Sequence, residues 1–216
     1  FDTSVVQRTL ESNHDISVVV DIDWRGYYVG RKDHPITEAE NVIFNSNNEV
    51  QKIGKINKGN QDVHGEFIGM IKLSERGTKI FKQNFHRLKK IYWNKPFQRA
   101  KVFQKAYLSD MIQELVDIGI KVHCVIIERG WKEIDTVEDY EKALLEANIR
   151  EAGRAWQKAY TSLEKGNFNE AELAFANAQS IFESVSAFPQ TQHPFLTSIL
   201  ETFPIKIKLY AAFKDA

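Results

Sequence analysis

The stretch ISVVV, Ile16 to Val20, narrows the fold more than any other feature of the chain. It is apolar and largely β-branched, the composition of a strand. A strand with one face in water alternates polar and apolar residues. A run without that alternation belongs to a sheet covered on both faces. VHCVII, Val122 to Ile127, is a second run of this kind. Each is too apolar to face water and each leads into an acidic loop, so both are expected in one sheet.

The elements between and around these runs set the class. A helix-like stretch, Ser4 to Glu11, precedes the first strand. NVIFNSNNEVQKIGKI gives two strand-like runs around an Asn-rich turn, Asn45 to Asn48, which is a hairpin signal. HGEFIGMIKLS is apolar enough to be a central strand. Ser74 then stands before a helix in which Ile80, Phe81, Phe85, Leu88 and Ile91 recur at helical spacing. A second helix runs from about Leu108 to Ile118, with Gly119 as the residue that ends it. The order is strand, hairpin, strand, helix, helix, strand, helix, which predicts an α/β domain with a mixed sheet. Such a sheet normally has earlier strands, so the sequence reads as starting partway through a domain.

The character changes beyond Glu138. In EAGRAWQKAYTSLEKGNFNEAELAFANAQSIFESV, Gly166 and Phe168 mark a tight turn between two helical patterns, an αα-hairpin. Its second half resembles the tetratricopeptide repeat, whose Gly, aromatic, Ala, aromatic and Ala positions are matched by Gly166, Phe168, Ala171, Phe175 and Ala178. The first half departs from that pattern, since Lys158 falls where the family usually places Leu. One repeat does not make a solenoid. PFLTSILETFPIKIKLYAAF adds helix, broken or kinked near Pro204, that is expected to close a small bundle. The expected division is 1–143 for the α/β part and 144–216 for the helical tail.

Composition excludes several function classes. With 29 basic and 29 acidic residues the formal net charge is +0, so no whole-surface field recruits nucleic acid or an anionic membrane, and neither is expected as a partner. No apolar run approaches the roughly 20 residues that span a bilayer. Cys124 is the only cysteine. It has no intramolecular disulfide partner, so a reducing, cytoplasmic compartment is expected. No G-x-G-x-x-G, Walker or G-x-S-x-G stretch occurs, and His64 and His86 are too far apart in sequence to suggest a zinc site.

Four blocks carry a family resemblance: ISVVVDIDWRGYYVGRKDHPITEAENVIF, KIGK, HGEFIGMIKLSERG and ERGWKEIDTVEDYEKA. In this order they resemble the central and C-terminal blocks of nucleotidyltransferase-like proteins allied to phosphocholine and phosphonate cytidylyltransferases, some of them joined to phosphoenolpyruvate mutase. The resemblance covers about Phe1 to Ala143. It implies a Rossmann-like sandwich and transfer of a nucleotidyl group from a nucleoside triphosphate, CTP favoured, to a phosphate or phosphonate acceptor. The family's Gly-rich loop and first metal-binding Asp precede the segment matching Phe1. The resemblance therefore implies that this chain carries only the second half of the site. Asp135 matches the second Mg²⁺-binding Asp, and Lys55 sits where a phosphate-contacting catalytic Lys is often found. Asp23, Trp24, Tyr28, Arg31 and Glu66 fall on the substrate side, with Trp131 and Glu133 flanking the metal position.

Each of these residues also has a purely structural reading. Asp135 or Thr136 serves as a helix N-cap, with Glu138 or Asp139 as its N3 partner. Asp21 and Asp23 belong to a solvated turn, the reading preferred for Asp21, or to the ligand site that open α/β sheets place after their strands. Trp24, Tyr27 and Tyr28 either cradle a trimethylammonium group or simply pack together. Lys55 reads equally as a surface lysine. For the whole protein the competing reading is a non-catalytic scaffold whose helical tail binds a partner protein. An exposed apolar groove along Ala171, Phe175 and Ala178 would favour it.

Overall fold

The computed structural model describes residues 1–56 and 63–186. The chain divides into two compact units, Phe1–Glu133 and Ile134–Ala216. The first unit is mixed α/β. Its helix α1 (Thr3–Glu11) leads into strand β1 (Ile16–Asp21). Strands β2 (Asn41–Phe44) and β3 (Val50–Gly54) form the expected hairpin, turning through Asn48 at φ 57°. Strand β4 (Gly65–Leu73), helices α2 (Glu75–Tyr92) and α3 (Leu108–Asp117), and strand β5 (His123–Ile127) follow.

The five strands make one mixed sheet in the order β3-β2-β4-β1-β5. Only the β1/β5 pair is parallel, with Val18 opposite Cys124 and Val19 opposite Val125. The two apolar runs are thus neighbours, as their hydrophobicity requires. Residues 16–21 are all buried because both faces of β1 are covered. On one face Val18 and Val20 pack with Leu88 of α2 and Ile112 and Leu115 of α3. On the other, Val19 packs with Val5 of α1, Ile127 and Trp131. The hairpin turn shields the exposed side of edge strand β5: Cys124 N–H donates to the Asn48 carbonyl at 2.7 Å, and Val50 N–H to that of Val122 at 2.8 Å.

Local signals act as their chemistry predicts. Ser74 caps α2, its Oγ accepting the Gly77 N–H at 2.9 Å while donating to Asp15 at 2.7 Å. Gly119 closes α3 at φ 83°. Two residues of the α2 apolar pattern are only partly covered: Phe85 and Ile91 are 40% and 45% exposed. They flank Leu88 at the edges of the stripe, and the Phe85 ring meets that of Phe103 at 5.7 Å.

In the second unit, α4 (Val137–Glu164) and α5 (Phe168–Ser186) are joined by a short turn with Gly166 at φ 74°. Ala159 of α4 and Ala174 of α5 let the helices approach closely, and the Trp156 and Phe175 rings meet edge to face at 4.7 Å. Lys158 pairs with Glu170 across the two helices at 3.2 Å. Ala171, Phe175 and Ala178 are buried, whereas Phe168 and Tyr160 are 69% and 53% exposed. The Phe168 and Tyr160 rings are therefore largely left out of the helix pair's buried surface. Phe168 is the first residue of α5, before the helix reaches its neighbour. The stretch around Pro204, and with it the expected bundle closure, lies outside the described residues.

Candidate functional site

One level of the sheet is polar across its three inner strands. Strand register sets Gly54 of β3 opposite Asn41 of β2, Asn41 opposite Glu66 of β4, Glu66 opposite Asp21 of β1, and Asp21 opposite Ile127 of β5. Residues directly opposite share a face, so Asn41, Glu66 and Asp21 form a buried row at the carboxyl ends of β1 and β5. In a parallel pair that is where connecting loops diverge and ligands bind.

Asp21 organises the loops. It is fully buried, not the solvated turn residue its charge suggests. Its Oδ1 accepts the backbone N–H of Asp23 at 2.8 Å and of Arg129 at 3.1 Å, and its Oδ2 accepts Trp131 Nε1–H at 2.7 Å. One carboxylate thereby fixes the chain after β1 and the chain after β5. Arg129 is held at φ 63°, a conformation few non-glycine residues adopt. Its Nε donates to Asp23 at 2.8 Å. A Cβ on Gly26 would stand 2.4 Å from the guanidinium, so a larger residue there would push the Arg129 side chain aside.

Over this row lies an aromatic layer carried by a single 3₁₀ turn, Arg25–Tyr28. Trp24, Tyr27 and Tyr28 are buried together with Ala39. The Arg31 guanidinium lies 4.6 Å from the Tyr27 ring centre and 4.9 Å from that of Tyr28, and its side chain is fully buried beside Glu133 at 3.6 Å. The ring faces that would receive an external quaternary ammonium are covered by this internal cation. Tyr27 hydroxyl donates to the Glu133 carbonyl at 2.5 Å and accepts the Glu133 N–H at 2.9 Å, joining the layer to the segment after β5.

Glu66 and Asn41 are the incompletely satisfied members of the row. The Tyr28 hydroxyl donates to Glu66 Oε1, while among the described residues Glu66 Oε2, Asn41 Oδ1 and Trp24 Nε1 are buried without a hydrogen-bond partner. Burial pushes the Glu66 carboxyl up to about 8. Glu133 and Asp21 add to the rise, and the Tyr28 hydrogen bond and Arg31 oppose it. Burial also raises the Tyr28 hydroxyl well above its ordinary range. Burial therefore favours the protonated form of Glu66, beside an Asp21 whose two oxygens accept three N–H donors.

The sequence-singled residues divide as follows. Asp23, Trp24, Tyr28, Arg31, Glu66, Trp131 and Glu133 come together here. Lys55 follows Gly54, so it stands at the far end of the same row, about 14 Å from Asp21 by strand spacing. There it pairs with Glu38. Asp135 belongs to the second unit, where its carboxylate is exposed just before α4. The cap of α4 is Thr136: its hydroxyl accepts the Asp139 N–H at 3.1 Å, and Asp139 accepts the Thr136 N–H at 3.2 Å. Asn41 and Arg129 were not singled out by sequence. Neither spacing nor composition marks them, because their roles depend on strand register and on a left-handed backbone turn.

Compared with protein-family models and with curated proteins, the chain matches none.

Proposed function

We propose that the Phe1–Glu133 unit is the acceptor side of a Rossmann-like nucleotidyltransferase site. The reaction transfers a nucleotidyl group, cytidylyl from CTP foremost, to a phosphate or phosphonate acceptor. The observation that carries this reading is convergence. Residues 23–31, Glu66 and residues 131–133 come from three separate blocks and meet at the carboxyl ends of the parallel strand pair. A purely structural role for each would not require them to share one place.

In the reaction an acceptor oxygen bonds to the α-phosphorus while the bond to the pyrophosphate oxygen breaks, and the electron pair leaves with pyrophosphate. Positioning and charge do most of the work in such a transfer. Arg31, fixed between two tyrosine faces and Glu133, is a rigid cation that needs no reorganisation. Lys55 supplies a mobile cation by exchanging Glu38 for a phosphate oxygen. Asp135 fits a Mg²⁺ ligand, because its carboxylate is exposed and the helix cap is completed without it. Mg²⁺ held there would supply neutralisation of charge on the phosphate oxygens. Cytoplasmic location belongs to the same proposal and rests on the single buried thiol, Cys124.

The tetratricopeptide-like reading of the tail is supported by the Gly166 turn and the burial of Ala171, Phe175 and Ala178. Phe175 packs against Trp156 and Ala159 between the two helices, and Ala171 and Ala178 are buried, so this face is not the exposed apolar groove that would favour the scaffold reading.

The test is pyrophosphate release by a polypeptide in which a Gly-rich nucleotide loop and its metal-binding Asp precede Phe1, supplied with CTP and phosphocholine or a phosphonate. Turnover is expected, and Asp135→Asn should lower it about 100-fold without changing the melting temperature. Full activity in the Asn variant would remove Asp135 from the site. Absence of turnover with every nucleoside triphosphate would overturn the reading.

A further inference from the structure

Helix α2 carries a charge pattern that the neutral total hides. From Glu75 to Tyr92, six lysines and arginines stand against one acidic residue, Glu75 itself; Arg76 pairs with Asp15 and Arg87 with Glu114. The buried side of α2 is fixed by Leu88, with Ile80 and Phe81 against the same core. At about 100° per residue, Lys79, Lys82, His86, Lys89 and Lys90 then fall in one outward stripe, and all are exposed. Steps of three or four residues separate successive charges by about 4.5–6 Å along the axis. Trp93, which ends the helix, is 48% exposed, and Lys89 Nζ lies 5.0 Å over its ring. Lys79 is paired with Glu75 at 2.7 Å. Among the described residues no carboxylate pairs with Lys82, Lys89 or Lys90.

We propose that this face of α2 is a binding surface for single-stranded nucleic acid, with the lysines on phosphates and the Trp93 ring against a base. Charge complementarity selects a polyanion. A membrane fits less well, because the apolar side of α2 is already spent on the sheet and no apolar face is left to enter a bilayer. A half-exposed indole at the end of a lysine stripe is the arrangement on which unpaired bases stack. The surface is independent of nucleotidyl transfer. It also reverses the expectation from net charge, because total charge averages away a local field of this length.

The test is fluorescence anisotropy of a labelled oligothymidine of about 20 nucleotides with the full chain over a series of salt concentrations. Binding is expected, with a slope of log affinity against log salt of about −3, the value for four lysine–phosphate contacts on a single strand. Lys82→Gln with Lys89→Gln and Lys90→Gln should bring the slope to about −1 and weaken low-salt binding at least about 30-fold. Trp93→Ala should weaken binding at least about 5-fold with the slope unchanged. All variants carry surface substitutions, and unchanged melting curves would show that they fold. The proposal is overturned if the oligonucleotide does not bind at low salt, or if the triple variant keeps the affinity and slope of the parent. Capture by phosphatidylglycerol vesicles without oligonucleotide binding would overturn it as well.

Discussion

Glu66→Gln is the substitution whose effect the structure specifies most fully. Burial holds the Glu66 carboxyl at about 8 in the folded protein, against an ordinary value of 4.5. Between those two pH values the folded state keeps a proton that the unfolded chain has released. Stability therefore falls as pH rises, by about 1.4 kcal/mol per pH unit and about 5 kcal/mol in all across the window. The contribution is fully present below pH 4.5 and is lost once pH passes 8. A loss of that size is comparable with the whole stability of many domains. Glutamine keeps the side-chain oxygen that accepts the Tyr28 hydroxyl, and it has no proton to lose. The variant should match the parent near pH 5 and exceed it by several kcal/mol at pH 9. Urea unfolding followed by tryptophan fluorescence at intervals from pH 5 to 9 measures the difference. The parent profile alone is not decisive, because burial lowers the His123 value and gives a stability contribution that rises with pH up to the ordinary histidine range. Subtracting the two profiles removes that term. Parallel profiles, with no gap opening above pH 6, would refute the assignment of Glu66 as a buried neutral acid.

Two further outcomes follow from geometry. Gly54→Ala places a Cβ 2.4 Å from the Arg99 guanidinium at a φ of 124°, so it should displace Arg99 from Asp110 and Ser109 and lower stability by about 2–4 kcal/mol in urea titration. Loss below about 0.5 kcal/mol would mean that the strand end relaxes freely. Thr136→Ala should cost about 1 kcal/mol in α4, read from helix melting, while Asp135→Asn should leave that melting unchanged; equal losses in both variants would return the capping role to Asp135.

The α/β class was legible because buried strands and amphipathic helices leave different periodicities. ISVVV and VHCVII have no alternation, and both occupy the two-sided middle or the covered edge of the sheet. Turn chemistry was equally local: Ser74, Gly119 and the Asn45–Asn48 turn act within a few residues of themselves. Asp21 was misread because its burial depends on donors 108 and 110 residues away, on Arg129 and Trp131. No local pattern carries that information. The outward turn of Phe168 and Tyr160 has a similar origin, since helical spacing names a face but not where along the helix the neighbour begins.

Two carboxylates on adjacent strands thus have opposite fates for one reason. Asp21 and Glu66 face each other across β1 and β4, equally buried. Asp21 receives three N–H donors, while Glu66 receives one hydroxyl and burial raises its carboxyl. Two ionised carboxylates side by side in a buried row would repel, so saturation of the first favours neutrality of the second. The arrangement also separates their functions. Asp21 ties the loop after β1 to the loop after β5, so losing its carboxylate would release both at once. Glu66 ties down neither loop, and among the described residues its Oε2 has no hydrogen-bond partner.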